Sequence, residues 1–323
     1  MTELAAAVVR GERAAVADAL NLVDDARPAR QREARALLRA LTEQGRPPRP
    51  RVGLTGPPGA GKSTLLDGLT RQLRAGGHRV GIIAVDPSSQ RSGGALLGDR
   101  IRVRAGARDD GVFFRSMAAR ERLGGLAAAT RASVDILEAA YDWVFIETVG
   151  VGQSETDVVH LADTLVYVAQ PGAGDLLQYM KAGIVELPDA FVVNKADTGK
   201  AAAQTASELR SGIALAPRDA SGWDPPVLLA SARDGVGIEE LIATLESHRE
   251  KMAGAPLASR RLRGRDHFLR EELLRRYGSF GLAAYGGSER LAESLAAMSS
   301  IGLYEALDRL STDFERAIGK QPL

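Results

Sequence analysis

The sequence predicts an α/β fold: a mostly parallel sheet with helices on both faces and helical extensions at both ends. Three observations predict it. Between Arg51 and Met252, short apolar runs alternate with stretches of helical periodicity, the pattern of βαβ units. A glycine-rich loop follows the first of those runs and opens a helix. Outside this region, in residues 2–45 and after Met252, only helical spacing of apolar residues is found.

Residues 2–45 carry Val8, Val9, Ala15, Leu20 and Val23, then Ala34, Leu37, Leu38 and Leu41. Two helices are expected there, separated near 24–29. Pro47, Pro48 and Pro50 end the pattern. Strands are expected at 52–55, 80–85, 112–114, 143–146, 164–169, 190–193 and 227–230, and helices at 63–74, 123–140, 176–186 and 238–248. Beyond Met252 a charged helix at 260–276 is interrupted by Tyr277 and Gly278, and helices follow at 288–297 and 301–318.

At 323 residues the chain is one large α/β domain with additions, or two domains. Apolar residues make up 45% but aromatics only 5%, so the core rests on Leu, Val, Ile and Ala. A net charge of +1 with 26% charged residues gives no basic footprint for nucleic acid. The absence of cysteine removes disulfides, thiolate catalysis and Cys-ligated metal, and fits a reducing compartment. No apolar run reaches membrane-spanning length, and residues 1–21 lack the basic start and apolar middle of a secretory signal. A soluble, cytoplasmic protein with neither membrane nor nucleic-acid partner is expected.

The run Gly56-Pro57-Pro58-Gly59-Ala60-Gly61-Lys62-Ser63 matches G-x-x-x-x-G-K-S in its required strand-to-helix context, which makes the fold a P-loop NTPase. Glycines let the backbone curl so that N–H groups converge on phosphate oxygens, and the helix N-terminus adds its positive end. Pro58, Gly59, Ala60, Gly61 and Thr64 surround the phosphates in this reading, while Lys62 neutralises the β and γ phosphates and the Ser63 hydroxyl binds Mg²⁺. Asp86 ends the second strand; a carboxylate there can reach Mg²⁺, directly or through water, and Asp before Pro87 is also a common strand-end turn. Asp99 offers a second carboxylate, and in isolation a solvated charge describes it better. Glu147 ends the strand at 143–146, where nucleotide hydrolases place a carboxylate for Mg²⁺ or its waters, and the Gly150 N–H three residues on can sense the γ phosphate as a switch.

Asn194-Lys195-Ala196-Asp197 follows another strand. The Asp197 carboxylate can accept from guanine N1–H and N2–H₂, a donor pair that adenine lacks. Asn194 would contact the base edge and brace the loop, and the Lys195 stem would cover the ring. One βα unit later, in Ala230-Ser231-Ala232, a backbone N–H of Ser231 or Ala232 can meet guanine O6. GTP and GDP are therefore the expected substrate and product. For the attacking water the nearest glutamine is Gln153, which either positions water in a partner complex or is an ordinary polar switch residue; slow intrinsic hydrolysis accelerated by a partner is expected.

The run Glu147-Thr148-Val149-Gly150-Val151-Gly152-Gln153-Ser154-Glu155 is more specific than any of these motifs. With the P-loop, Asp86-Pro87-Ser88-Ser89 and Gly93-Gly94-Ala95-Leu96-Leu97-Gly98-Asp99-Arg100, it resembles the MeaB/ArgK/MMAA family, G3E-type GTPases of the SIMIBI group, over nearly the whole chain. The resemblance implies a chaperone of adenosylcobalamin-dependent acyl-CoA mutases that gates cofactor loading and protects the mutase, with an adenosyltransferase as a further partner. It implies a catalytic set of Lys62, Asp86, Asp99, Glu147 and Gln153, a metal set of Ser63, Asp86, Asp99 and Glu147, and guanine reading by Asn194, Lys195 and Asp197. It divides the chain into a helical extension (1–48), a GTPase domain (49–252) and a C-terminal arm (253–323) that forms a homodimer. Residues 171–183 look like the family's additional switch, with Asp175, Gln178 and Lys181 facing the client. Leu176, Tyr179, Met180 and Ala182 depart from the usual pattern there, which leaves the client open between methylmalonyl-CoA mutase and a relative such as 2-hydroxyisobutyryl-CoA mutase.

The four histidines, His78, His160, His248 and His267, show no ligand spacing, which disfavours metal insertion. An ArgK-type kinase or transport-associated NTPase would require acceptor-binding residues and often a lid, and neither is identifiable. Phe268, Leu269, Leu273, Leu274 and Tyr277 either pack on a core of their own helices or form the dimer contact.

Overall fold

The computed structural model describes residues 1–45, 47–87, 109–119, 128–148, 158–172, 187–214 and 222–319, without the side chains of 86–87 and 118–119. All seven expected strands are present: β1 (Arg51–Thr55), β2 (Val80–Pro87), β3 (Val112–Ala119), β4 (Trp143–Thr148), β5 (Thr164–Ala169), β6 (Ala190–Val193) and β7 (Val227–Leu229). They form one sheet in the order β3-β2-β4-β1-β5-β6-β7, every pairing parallel. β1, β4, β5 and β6 are buried at every position. A parallel sheet covered on both faces reads as continuous apolar runs rather than as alternation, which is why these strands were legible. β1 lies between β4 and β5, so the loop leaving its carboxyl end emerges in mid-sheet, where open α/β sheets bind ligands.

The N-terminal region forms three helices, α1 (Thr2–Arg10), α2 (Arg13–Asp24) and α3 (Pro28–Glu43), not the two expected. Gly11 makes the extra break. It adopts φ 72°, its N–H caps the Ala7 and Val8 carbonyls, and a Cβ there would lie 1.5 Å from the Arg79 guanidinium. Apolar spacing continues across this break, so periodicity could not reveal it. The core helices are α4 (Lys62–Ala75), α5 (Ala128–Ala140), α6 (Lys200–Ile213) and α7 (Ile238–Met252). The sequence reading missed α6, whose buried stripe of Ala202, Ala206 and Leu209 offers little hydrophobic contrast. The expected helix at 176–186, and residues 123–127 of another, lie outside the described residues. After Met252 come α8 (Ala255–Tyr285), α9 (Gly287–Ala297) and α10 (Leu303–Ile318). The expected interruption at Gly278 is a kink within α8, at φ 65° and ψ −173°.

One face of the sheet is covered by α1–α3 and α5, where Val16, Leu20, Leu37 and Leu137 join Ile83, Val144 and Ile146. On the other face Leu65, Leu66 and Leu69 of α4 and Leu241 of α7 join Val52, Leu54, Ile82 and Phe145. Leu269, Leu273, Leu291, Leu295, Leu307 and Phe314 form a separate core among α8, α9 and α10.

The C-terminal helices are fastened to the amino ends of the strands by ion pairs. Arg261 pairs with Glu138 at 2.7 Å and Asp163 at 2.6 Å, and Arg260 with Asp189 at 2.9 Å; beside them buried Arg51 of β1 pairs with Asp135 of α5 at 2.8 Å and with Glu138, tying α5 into the same cluster. Burial alone would raise the Glu138 carboxyl, but the Arg51 and Arg261 guanidiniums outweigh it and hold the group down to about 2. A depressed carboxylate stabilises the fold above its unfolded value of 4.5, and that contribution is lost as pH falls from 4.5 towards 2. Glu138→Gln is therefore expected to cost about 3 kcal/mol at pH 7. In thermal melts the gap to wild type should close as pH falls through that window; a gap constant from pH 7 to pH 3 would refute the assignment.

Candidate functional site

At the carboxyl end of β1 the chain turns through Gly56 (φ 135°), Gly59 (φ 79°) and Gly61 (φ 87°) into α4. Two of these glycines are required by neighbours as well as by φ. A Cβ on Gly56 would sit 2.2 Å from the Val168 carbonyl oxygen, and one on Gly61 2.4 Å from Asn194 Nδ2. Pro58 and Gly59 face solvent, Ala60 is buried, and Thr64 is exposed on the first turn of α4. Lys62, only 6% exposed, folds back over the loop and donates to the Gly56 carbonyl at 2.6 Å and the Pro57 carbonyl at 3.1 Å. The Ser63 hydroxyl donates to Glu147 Oε1 at 2.6 Å. Glu147, buried at the end of β4, pairs in register with Leu54 of β1, and this register is what brings it beside the first turn of α4. Next to it Thr148 Oγ1 donates to the Leu54 carbonyl at 3.3 Å.

The loops expected to read the base close the other end. Asn194 follows β6 and is buried; its Nδ2 donates to the Ala60 carbonyl at 2.9 Å and the Gly61 carbonyl at 3.3 Å, and its Oδ1 accepts from the Ala232 N–H at 3.1 Å. Both ends of the amide are thus hydrogen-bonded to the two loops. Lys195 has φ 59°, the only positive φ of a non-glycine residue among those described, at a cost on the order of 1 kcal/mol. That conformation sends its ammonium across to the Gly59 carbonyl at 2.8 Å and Gln170 Oε1 at 3.2 Å. Asp197 is exposed in the 3₁₀ turn Ala196–Thr198, and Ser231 Oγ lies 3.1 Å from its Oδ1. Of the two amides expected near guanine O6, that of Ser231 is taken by the Val236 carbonyl at 3.0 Å. This leaves Ala232, whose N–H an incoming carbonyl would share with Asn194.

Lys62, Ser63, Glu147, Asn194, Lys195, Asp197, Ser231 and Ala232 thus converge on one edge of the sheet. Asp86 ends β2 opposite Ala118, its side chain undescribed. Asp99, Gly150, Gln153, Asp175, Gln178 and Lys181 lie outside the described residues. Sequence reasoning missed Gln170 and Asp234. Gln170 is the first residue past β5, beside the loop after β1, and the strand-end rule alone could have found it. Asp234 stands three residues after Ser231, a spacing at which a hydroxyl and a carboxylate meet across a turn.

Away from this edge, His160 and His267 stack with ring centroids 3.6 Å apart, a proximity that their separation in sequence concealed. Burial, and then His267, lower His160 to about 4, so it is neutral near pH 7. Stacked rings do not converge on an ion, and among the described residues no group of three or more acidic or histidine side chains could hold a metal. A small, partly open pocket lined by Pro48, Arg49, Thr164, His248 and Met252 lies at the opposite, amino edge of the strands.

A family model described as methylmalonyl-CoA mutase-associated GTPase MeaB matches residues 16–277. A putative GTPase of Pyrococcus abyssi is 52% identical over 202 residues, a match spanning 62% of this chain and 62% of that protein, less than two thirds of its length. The mouse mitochondrial methylmalonic aciduria type A homolog is 39% identical over 267 residues, covering 79% of this chain and 64% of that one. A crystal structure of a LAO/AO transport system kinase superposes with TM-score 0.69 at 28% identity, covering 97% of each chain.

Proposed function

Because the chain belongs to the methylmalonyl-CoA mutase-associated GTPase family, we propose that it hydrolyses GTP to GDP and phosphate and serves as a G-protein chaperone of an adenosylcobalamin-dependent acyl-CoA mutase. The observation that carries the nucleotide reading is the Asn194 side chain. It joins a phosphate-binding loop to a guanine-reading loop through hydrogen bonds of 2.9 and 3.1 Å, so the two ends of one nucleotide are held in fixed relation.

In this reading Lys62 leaves the Gly56 and Pro57 carbonyls for the β and γ phosphates, exchanging neutral acceptors for charged ones. The oxygen donors of Ser63 and Glu147, already 2.6 Å apart, suit a hard cation such as Mg²⁺, with Asp86 and Asp99 as the further carboxylates. When bound, that ion neutralises charge on the phosphate oxygens. Glu147 accepts the hydrogen bond of the Ser63 hydroxyl, which would turn the Ser63 lone pairs toward the ion's place. Asp197 accepts from the guanine edge, the Ala232 amide meets O6, and Lys195 covers the ring. Glu147 leads directly into 149–157, so the carboxylate that senses the metal side is joined to the segment carrying Gly150 and Gln153.

The client is methylmalonyl-CoA mutase or a related enzyme such as 2-hydroxyisobutyryl-CoA mutase, engaged through the segment holding Asp175, Gln178 and Lys181. The chain works in the cytoplasm as a homodimer through its C-terminal arm, with an adenosyltransferase as a second partner. No described helix is long and apolar enough to cross a membrane. The test is co-purification with each candidate mutase and phosphate release in each complex. Stimulated release of free phosphate with one mutase is the expected result; no complex with any of them would reject the chaperone role. The likeness to a structure named as a transport-system kinase supports a second reading, which predicts γ-phosphate on a protein or small acceptor instead of in solution.

A further inference from the structure

Ser231 Oγ stands between two carboxylates, 2.7 Å from Asp234 Oδ2 and 3.1 Å from Asp197 Oδ1. A hydroxyl has one proton, and both neighbours are acceptors only. Ser231 is 2% exposed, so the hydroxyl itself has little contact with water and its one proton goes to one carboxylate or the other. The shorter contact goes to Asp234, which the turn holds in place: the Asp234 N–H donates to the Ser231 carbonyl at 3.1 Å, and Gly235 at φ 76° follows. Arg233 Nε lies 3.9 Å from Asp234 Oδ1 in a mostly exposed pair.

We propose that Asp234 is a positioning residue of the guanine pocket: it competes with Asp197 for the single Ser231 proton and thereby sets how fast guanine nucleotide leaves. The proposal rests on the GTP-binding reading of the site. Among the described residues Ser231 is the side-chain donor to Asp197, and Asp197 itself is exposed on a short turn. While the proton points to Asp234, the base-reading carboxylate is not held by that hydrogen bond. Its ordering is then charged against binding of the base. Removing Asp234 leaves Asp197 as the acceptor, pre-sets its orientation and tightens the hold on guanine.

The experiment is stopped-flow release of a fluorescent GDP analogue from wild type, Asp234→Ala, Asp234→Asn, Ser231→Ala and the Ser231→Ala/Asp234→Ala double variant. Asp234→Ala should slow release about fivefold, the scale of one typical net hydrogen bond. Asp234→Asn, which keeps a neutral acceptor, should fall between. In the Ser231→Ala background the Asp234 substitution should change nothing, because no proton is left to compete for. The slowing should also be smaller for the inosine analogue, which offers Asp197 one donor instead of two. A merely electrostatic effect of the second anion would persist without the hydroxyl. Equal effects in both backgrounds, equal slowing for both bases, or unchanged or faster release in Asp234→Ala would overturn the proposal. A wild type that binds the GDP analogue and releases it at the variant's rate sinks this proposal alone; a wild type that binds none sinks the nucleotide reading as well.

Discussion

Asp197→Asn is expected to lower affinity for GTP and GDP by about 10³-fold and to create affinity for the xanthine nucleotides. A pocket built to accept two donors from a base edge loses most of its affinity when one acceptor becomes a donor, because buried polar groups are then left facing like groups. The asparagine amide would oppose guanine N2–H₂ but complement the 2-carbonyl of xanthine. The surrounding frame does not depend on the carboxylate: Asn194 fixes the two loops to each other, and Ala196 N–H bonds the Ala230 carbonyl at 2.9 Å. The variant should therefore fold and keep its phosphate site. Titration with fluorescent guanosine and xanthosine diphosphates measures the switch directly, and retained guanine affinity would mean that another group reads the base.

Lys62→Ala carries the second large effect. The ammonium is buried beside the phosphate loop, on two loop carbonyls that it exchanges for phosphate oxygens, in a site where a charge acts with little screening. Loss of one charged donor to a transition state costs about 10²–10³-fold in turnover. Lys62→Arg should not restore activity, since a planar guanidinium fills the enclosed space under Gly56 and Pro57 differently from a compact ammonium. The measurement is single-turnover phosphate release at saturating GTP, with the melting temperature as a control for folding. Turnover within tenfold of wild type would remove Lys62 from the chemistry.

The α/β layout was legible because each strand of the buried sheet is a continuous apolar run, and a run such as 164–169 reads as a strand from composition alone. The helix break at Gly11 was not legible from periodicity, because the apolar spacing runs on across it, while the break rests on the left-handed φ of 72° that this one glycine adopts. The phosphate loop was legible as a local motif whose residues are contiguous. The committed amide of Asn194, the lysine bridge to Gln170 and the sharing of Ser231 by two carboxylates were not, because each joins segments that only the parallel crossovers bring together. The stacked His160 and His267 make the same point: their positions, 107 apart, carry no spacing signal until α8 lies against the 3₁₀ turn at Val158–His160.

By itself the sequence determined that this chain folds around the strand–loop–helix of a P-loop GTPase, and it pointed to Asp197 as the proposed base reader. Both follow from short-range chemistry, the backbone freedom of glycine and the donor pattern of guanine. Tertiary structure alone decided how those pieces constrain one another: that Ser63 is tied to Glu147, that the two nucleotide loops share one buried amide, and that the Ser231 hydroxyl stands between Asp197 and Asp234. Hydrogen bonds depend on distance and direction in space, and the order of residues along a chain does not specify either until the sheet has fixed which strands are neighbours.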